Sequence, residues 1–190
     1  MRVFAGPNGS GKSTIINAVK ERKPGGKTID FGIYVNADDI AENLRKGSFY
    51  FSDYEIQAAD TEFTQITVQS GLINEEFNLK RFKKSYKLNG SKIFLVDKTG
   101  NERLAQIFAD FLRKKLLLER KKFSFETVFS HPSKLHIMRE AETKGYKVYL
   151  YFVSTESPEI NKERVQIRKG GGGHDVPSHL IESRYKRSLG

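Results

Sequence analysis

Cysteine is absent from the 190-residue chain. Neither a disulfide framework nor a cysteine-based metal site is therefore possible, and the absence fits a reducing compartment. Also missing is any apolar run near the roughly 18 residues that a membrane helix needs. The opening residues Met1 to Gly6 have none of the apolar stretch of a signal peptide. Together these absences lead to the expectation of a soluble, cytoplasmic protein without membrane association. Negative charge is in short supply, with 23 Asp and Glu against 33 Lys and Arg and a formal net charge of +10. Such an excess suits a solvated basic surface, or a polyanionic partner such as nucleic acid, a nucleotide or a nucleotide sugar. Charge alone does not choose among these. Hydrophobic residues make up only 37% of the chain, yet 14 Phe and 8 Tyr supply bulk for a core. Disorder is therefore not the expectation, and the length suits one domain spanning residues 1–190.

Apolar runs alternate with helical patterns along the chain. Met1 to Ala5 reads as a buried strand, and Ser13 to Arg22 as a helix ended by Pro24-Gly25-Gly26. Ile33 to Asn36 reads as a second strand, followed by a helix from about Asp39. Residues 53 to 72 carry helical periodicity through Ile56, Ala59, Phe63 and Ile66, with Gly71 near its end. Residues 74–100 differ in texture: Phe77, Phe82 and Tyr86 lie among lysines and arginines. There, Asn89-Gly90 between strand-like runs predicts an inserted β-hairpin. A helix from Asn101 to about Arg120, a strand at Phe123 to Val128 and a helix from Pro132 capped by Gly145 follow. Lys147 to Val153 is a further strand. Pro158 opens a helix with Arg164 and Arg168, Gly170 to Gly173 form a turn, and Pro177 precedes a last helix. Strands alternating with helices predict an α/β fold around a mainly parallel sheet, of the P-loop small-molecule-kinase kind.

Gly6-Pro7-Asn8-Gly9-Ser10-Gly11-Lys12-Ser13 fits the phosphate-loop pattern G-x-x-x-x-G-K-[ST]. Glycines let backbone N–H groups turn inward as an anion cradle. The helix that follows presents its N-terminus to phosphate. Lys12 is expected to reach the β- and γ-phosphates of ATP, and the Ser13 hydroxyl to ligate Mg²⁺. The pattern arises by chance in roughly one chain in 150 of this length. A strand before it and a helix after it set aside the alternative of a glycine-rich turn that binds nothing.

Other candidates depend on position. Asn36-Ala37-Asp38-Asp39-Ile40 follows the second strand, where a carboxylate can accept the proton of an attacking hydroxyl. Equally, Asp38 or Asp39 can serve as a helix N-cap. Glu126 is a charge in an apolar strand, which favours a substrate-binding or Mg²⁺-linked role over a structural ion pair. Arg164 and Arg168 share a helix face and can stabilise transferred phosphoryl charge, although such pairs are usually solvated. His174-Asp175 does not make a metal-ligand set. No strong strand ends in the Asp of the second Mg²⁺ motif of motor ATPases. Asp97 is a poor candidate if its strand belongs to the hairpin. This favours a small-molecule kinase over a motor.

The chain resembles the zeta toxin family of P-loop kinases. The resemblance is carried by Gly6 through Thr14, Asn36 through Ala41, Phe123 through Val128 and Gly145 through Val148. It continues in Asn161, Arg164-Val165, Arg168, Gly172 through Pro177, Ile181, Arg184-Tyr185 and Arg187-Ser188-Leu189. These blocks stand in the family's order and leave out about residues 74–100. The resemblance implies phosphoryl transfer from ATP·Mg²⁺ to a sugar hydroxyl, in characterised members the 3′-hydroxyl of UDP-N-acetylglucosamine. It implies that Gly6 to Thr14 hold ATP and that Asp38, two residues before the apolar Ile40, is the base. Glu126 and Thr127 would contact the acceptor, and Arg164 and Arg168 would clamp phosphates. An antitoxin protein that covers the loop is the partner it implies. Two other readings stand beside it. One is a nucleotide-dependent nucleic-acid-binding module, motivated by the aromatic and lysine mixture at 77–92. The other is a non-catalytic ATP-binding interaction domain.

Overall fold

The computed structural model describes residues 1–47, 49–96, 101–171 and 176–189. The readings placed on Asp97, on Gly172 and Gly173, and on His174 and Asp175 lie outside the described residues.

In chain order the elements are β1 (Arg2–Ala5), α1 (Lys12–Glu21), β2 (Ile33–Val35), α2 (Ala37–Lys46), β3 (Phe49–Tyr50), α3 (Asp60–Val68), α4 (Leu79–Ser85) and β4 (Tyr86–Asn89). They continue as β5 (Lys92–Leu95), α5 (Asn101–Leu118), β6 (Phe123–Thr127), α6 (Ser133–Thr143), β7 (Tyr149–Phe152), α7 (Pro158–Gly170) and α8 (Ser178–Leu189). The architecture is α/β, with a four-stranded parallel sheet of order β2-β6-β1-β7 flanked by helices. A small antiparallel sheet has the order β3-β5-β4. The fold class and the hairpin expected from the sequence are both present. Residues 1–31 and 124–190 form one compact unit, and residues 32–123 a second.

In the first unit the apolar run Val3-Phe4-Ala5 makes β1 a buried strand. β6 lies on one side and β7 on the other, both parallel to it. Ala5 stands opposite Thr127 and opposite Phe152. The segments leaving these three strands therefore emerge at one edge. The Phe4 ring stacks on Phe31 at 5.4 Å and on Tyr151 at 4.8 Å between centroids. By contrast, the outer strand β7 exposes Tyr149, Leu150 and Phe152.

In the second unit the core is aromatic. Phe63 is surrounded by Phe51, Phe82, Tyr86, Phe108 and Phe111. The turn at Asn89-Gly90 has Gly90 at φ 59°, and β4 and β5 pair antiparallel around it. Two expectations change here. The helix expected over residues 53 to 72 is split. Phe51–Tyr54 form a 3₁₀ turn that closes on Glu55 at φ 55°, and α3 starts only at Asp60. The left-handed residue breaks the helical path although the apolar spacing continues. In addition, α2 begins at Ala37 rather than about Asp39. The Asn36 side chain accepts from the Asp38 N–H at 3.0 Å and so supplies the cap. Asp38 and Asp39 then sit in the first turn, where carboxylates suit the positive end of the helix dipole.

Candidate functional site

The loop between β1 and α1 is built around glycines that no other residue can replace without strain. Gly6 has φ 141°, and a Cβ there would lie 2.0 Å from the Val153 carbonyl oxygen. Gly9 has φ 80°, and its Cβ would lie 2.5 Å from the Asn161 carbonyl oxygen. Gly11 is the left-handed residue that opens α1, and among the described residues no side chain caps that end of the helix. The first N–H groups of a helix have no intrahelical acceptor, and those of α1 directly follow this glycine loop. At the base of the loop the Gly6 N–H donates to the Thr127 carbonyl at 3.2 Å, which ties the loop to the end of β6.

Gly6→Ala is expected to cost more than about 3 kcal/mol, because the clash with Val153 adds to strain at a φ that only glycine adopts freely. Gly90→Ala is the comparison. That glycine also has positive φ, but among the described residues nothing lies within 4 Å of its added Cβ, so about 1–2 kcal/mol is expected. Denaturant unfolding of the two variants measures the difference, and equal costs would disprove the close approach to Val153.

Lys12 is buried although charged. Its Nζ donates to the carbonyls of Gly6 at 2.9 Å and Pro7 at 3.0 Å. The Glu126 carboxylate lies 3.7 Å away. Glu126 thus explains its place in an apolar strand by an ion pair with the loop lysine. Its neighbour Thr127 accepts through Oγ1 from the Phe129 N–H at 3.2 Å. In the loop, the buried Ser10 Oγ has no hydrogen-bond partner among the described residues. Ser13 and Thr14 are exposed at the first turn of α1. On α7, an Arg164 guanidinium nitrogen would lie 3.8 Å from a Cβ on Gly11. That places Arg164 beside the start of α1. Arg168 follows one turn later on α7 and is exposed. Asp38 belongs to the second unit, at the start of α2.

Four residues that sequence reasoning left without roles support the loop. The Thr155 hydroxyl lies 2.6 Å from Asn161 Oδ1 and 3.0 Å from the Ser157 carbonyl. The Tyr185 hydroxyl donates to the Thr155 carbonyl at 2.7 Å. Arg184 Nη1 donates to Asn8 Oδ1 at 3.2 Å. Asn161, Arg184 and Tyr185 lie in stretches that carry the resemblance, which assigns them no role. Thr155 gives no sequence signal. Helices α7 and α8 are also joined by Lys162 and Glu182 at 2.8 Å. Hydrogen bonds from Lys162 and Lys186 hold the Glu182 carboxyl down at about 2.

The aromatic and basic mixture of the second unit sorts cleanly by burial. Phe77, Phe82 and Tyr86 are core residues, so these rings do not form a surface for stacking bases. Lys80, Lys83, Lys84 and Lys87 are exposed around them. Among the described residues, no helix is long and apolar enough to cross a membrane.

No protein-family model matches the chain, and no solved structure matches it. A stretch of 63 residues, 33% of the chain, is 30% identical to an uncharacterized protein of Haemophilus influenzae. The match spans 45% of that protein's length.

Proposed function

We propose that this chain is an ATP-dependent phosphotransferase of zeta toxin type. It would move the γ-phosphate of ATP to a hydroxyl of a small anionic acceptor, with UDP-N-acetylglucosamine the first candidate. The observation that carries this reading is the strand–loop–helix of residues 2–21, with Lys12 held in the loop and Arg164 beside its helical end. Glycines 6 and 9 leave backbone where a side chain would intrude. That close backbone is what phosphate oxygens need from a cradle. The Ser10 hydroxyl and the start of α1, which among the described residues have no hydrogen-bond partner and no side-chain cap, add polar groups of the right kind. These residues fit a magnesium nucleotide. Ser13 would hold Mg²⁺, whose charge would offset that of the phosphates.

In the proposed reaction Asp38 orients the acceptor hydroxyl and takes its proton. Lys12 leaves the carbonyls of Gly6 and Pro7 to donate to the β- and γ-phosphates. Arg164 and Arg168 spread the charge of the transferred group, which then bonds to the acceptor oxygen as the bond to ADP breaks. Little covalent work falls to the protein, so positioning carries most of the rate. Glu126 and Thr127 serve the acceptor in this reading, and Glu126 is then shared between Lys12 and the acceptor. An antitoxin is the proposed protein partner.

The test is transfer from γ-labelled ATP with Mg²⁺ to UDP-N-acetylglucosamine, beside sugars, nucleosides and other nucleotide sugars. Asp38→Ala is expected to lose transfer by about 10²–10⁴-fold, as loss of a general base does, while ATP affinity stays within about threefold. Transfer retained by that variant would remove Asp38 as the base. Bound ATP that stays intact with every acceptor would favour the non-catalytic reading.

A further inference from the structure

Two arginines reach the phosphate loop from different helices, and the resemblance gives a role to only one of them. Arg164 arrives from α7 beside Gly11. Arg184 arrives from α8 and donates through Nη1 to Asn8 Oδ1. Its neighbours on α8 fix where it stands. Ile181 is buried with Val165 and Val176, and Tyr185 is buried with its hydroxyl on the Thr155 carbonyl. Thr155 in turn lies against Asn161 Oδ1, and the Asn161 carbonyl lies against Gly9. So α8 meets two consecutive loop residues, Asn8 directly and Gly9 through Tyr185, Thr155 and Asn161.

We propose that Arg184 is a further phosphate-binding residue of this site, an inference that rests on the nucleotide reading above. A guanidinium presents five N–H donors in a planar fork that matches phosphate oxygens. The neutral Asn8 carbonyl is a weaker acceptor for it than a charged phosphate oxygen. Arg184 is half-buried, so its hydrogen bonds are less screened than those of a solvated arginine. A triphosphate in the cradle is placed beside Asn8, within reach of the fork. The arginine then donates to phosphate with Asn8 as its resting acceptor. Because Ile181 and Tyr185 anchor the same helix, phosphate binding draws α8 onto the loop. The ligand class is a polyphosphate, recognised whatever base it carries.

The experiment compares the unaltered protein with R184M, R184K, K186M and Y185F by calorimetric titration with ATP·Mg²⁺ and with inorganic tripolyphosphate. Melting temperatures are recorded for each. R184M is expected to weaken both ligands by the same factor, about 10- to 100-fold, as loss of charge-assisted hydrogen bonds does. R184K restores the charge without the fork and is expected to recover part of the loss. K186M removes an equal charge from an exposed place on α8 and is expected to leave both affinities within about twofold. R184M and Y185F weakening both ligands equally, in step with their melting temperatures, would make Arg184 a helix anchor only and overturn the assignment. Undiminished binding by R184M, with tight binding by the unaltered protein, overturns this assignment and leaves the nucleotide reading standing. If the unaltered protein binds neither ligand, both fall together. Should R184M fail to fold, R184K against K186M carries the same comparison.

Discussion

Lys12→Met is expected to reduce phosphoryl transfer by at least about 10³-fold and to weaken ATP binding as well. The lysine is the one charged side chain inside the loop sequence itself. It is buried, and it is the donor on the Gly6 and Pro7 carbonyls. In the proposed reaction it donates instead to the phosphates, where charge is redistributed during transfer. Removing a preorganised donor of this type costs about 10²–10³-fold in rate, and the lost affinity adds to that. The variant also loses something in the absence of nucleotide. Two loop carbonyls lose a donor, and Glu126, 3.7 Å from Nζ, loses a cationic neighbour. Each buried group left unsatisfied costs about 1–3 kcal/mol. A lower melting temperature is therefore expected even without ATP. Single-turnover transfer of labelled phosphate, calorimetric titration with ATP and a thermal melt check the three effects. Transfer within about threefold of the unaltered protein would end the phosphate-loop reading. Loss of transfer with unchanged stability would show instead that the Gly6 and Pro7 carbonyls readily find other donors.

The second large effect concerns the aromatic core of the second unit. Phe63→Ala is expected to destabilise the protein by about 3–5 kcal/mol, the usual cost of emptying a buried phenyl site. Phe63 is fully buried. Its ring centroid lies 4.7 Å from Phe111, 5.2 Å from Phe108, 5.3 Å from Phe51, 5.4 Å from Tyr86 and 5.8 Å from Phe82. Alanine would remove edge-to-face contacts with residues from β4, α5 and the turn before α3 at once. The surrounding rings are rigid and cannot collapse fully into the space. Phe94→Ala is the contrast. That ring is 39% exposed and carries Lys92 over its face at 4.7 Å, so about 1 kcal/mol or less is expected. Denaturant unfolding followed by circular dichroism separates the two. A Phe63→Ala cost below about 1 kcal/mol would refute the aromatic core as the main support of this unit.

How much of this was legible in the sequence differs by element. The hairpin at Asn89-Gly90 depends on two adjacent residues, and the structure agrees. The helix starting after Pro132 and the glycine cap at Gly145, φ 82°, are equally local. Periodicity misled over residues 53 to 72, because apolar spacing says which residues face a core and not whether the backbone runs unbroken between them. The left-handed Glu55 interrupts it. Similarly, Asp38 and Asp39 were both N-cap candidates by type. The cap is Asn36, because the register of the first turn is set by where β2 ends.

By itself the sequence determined the α/β class, the order of most elements and the phosphate-loop pattern of residues 6–13. These follow from short-range rules: glycine's access to positive φ, the alternation of apolar runs with helical patterns, and turn residues at fixed offsets. Only the tertiary structure decided which groups meet that loop. It paired Lys12 with Glu126 and set the Asn161 carbonyl against Gly9. It brought Arg184 to Asn8 across 176 positions of chain. It also placed the rings of Phe77, Phe82 and Tyr86 in the core while leaving the lysines between them exposed. Such contacts depend on how helices pack against a sheet and on one another. That is a property of many side chains at once, and no local pattern encodes it.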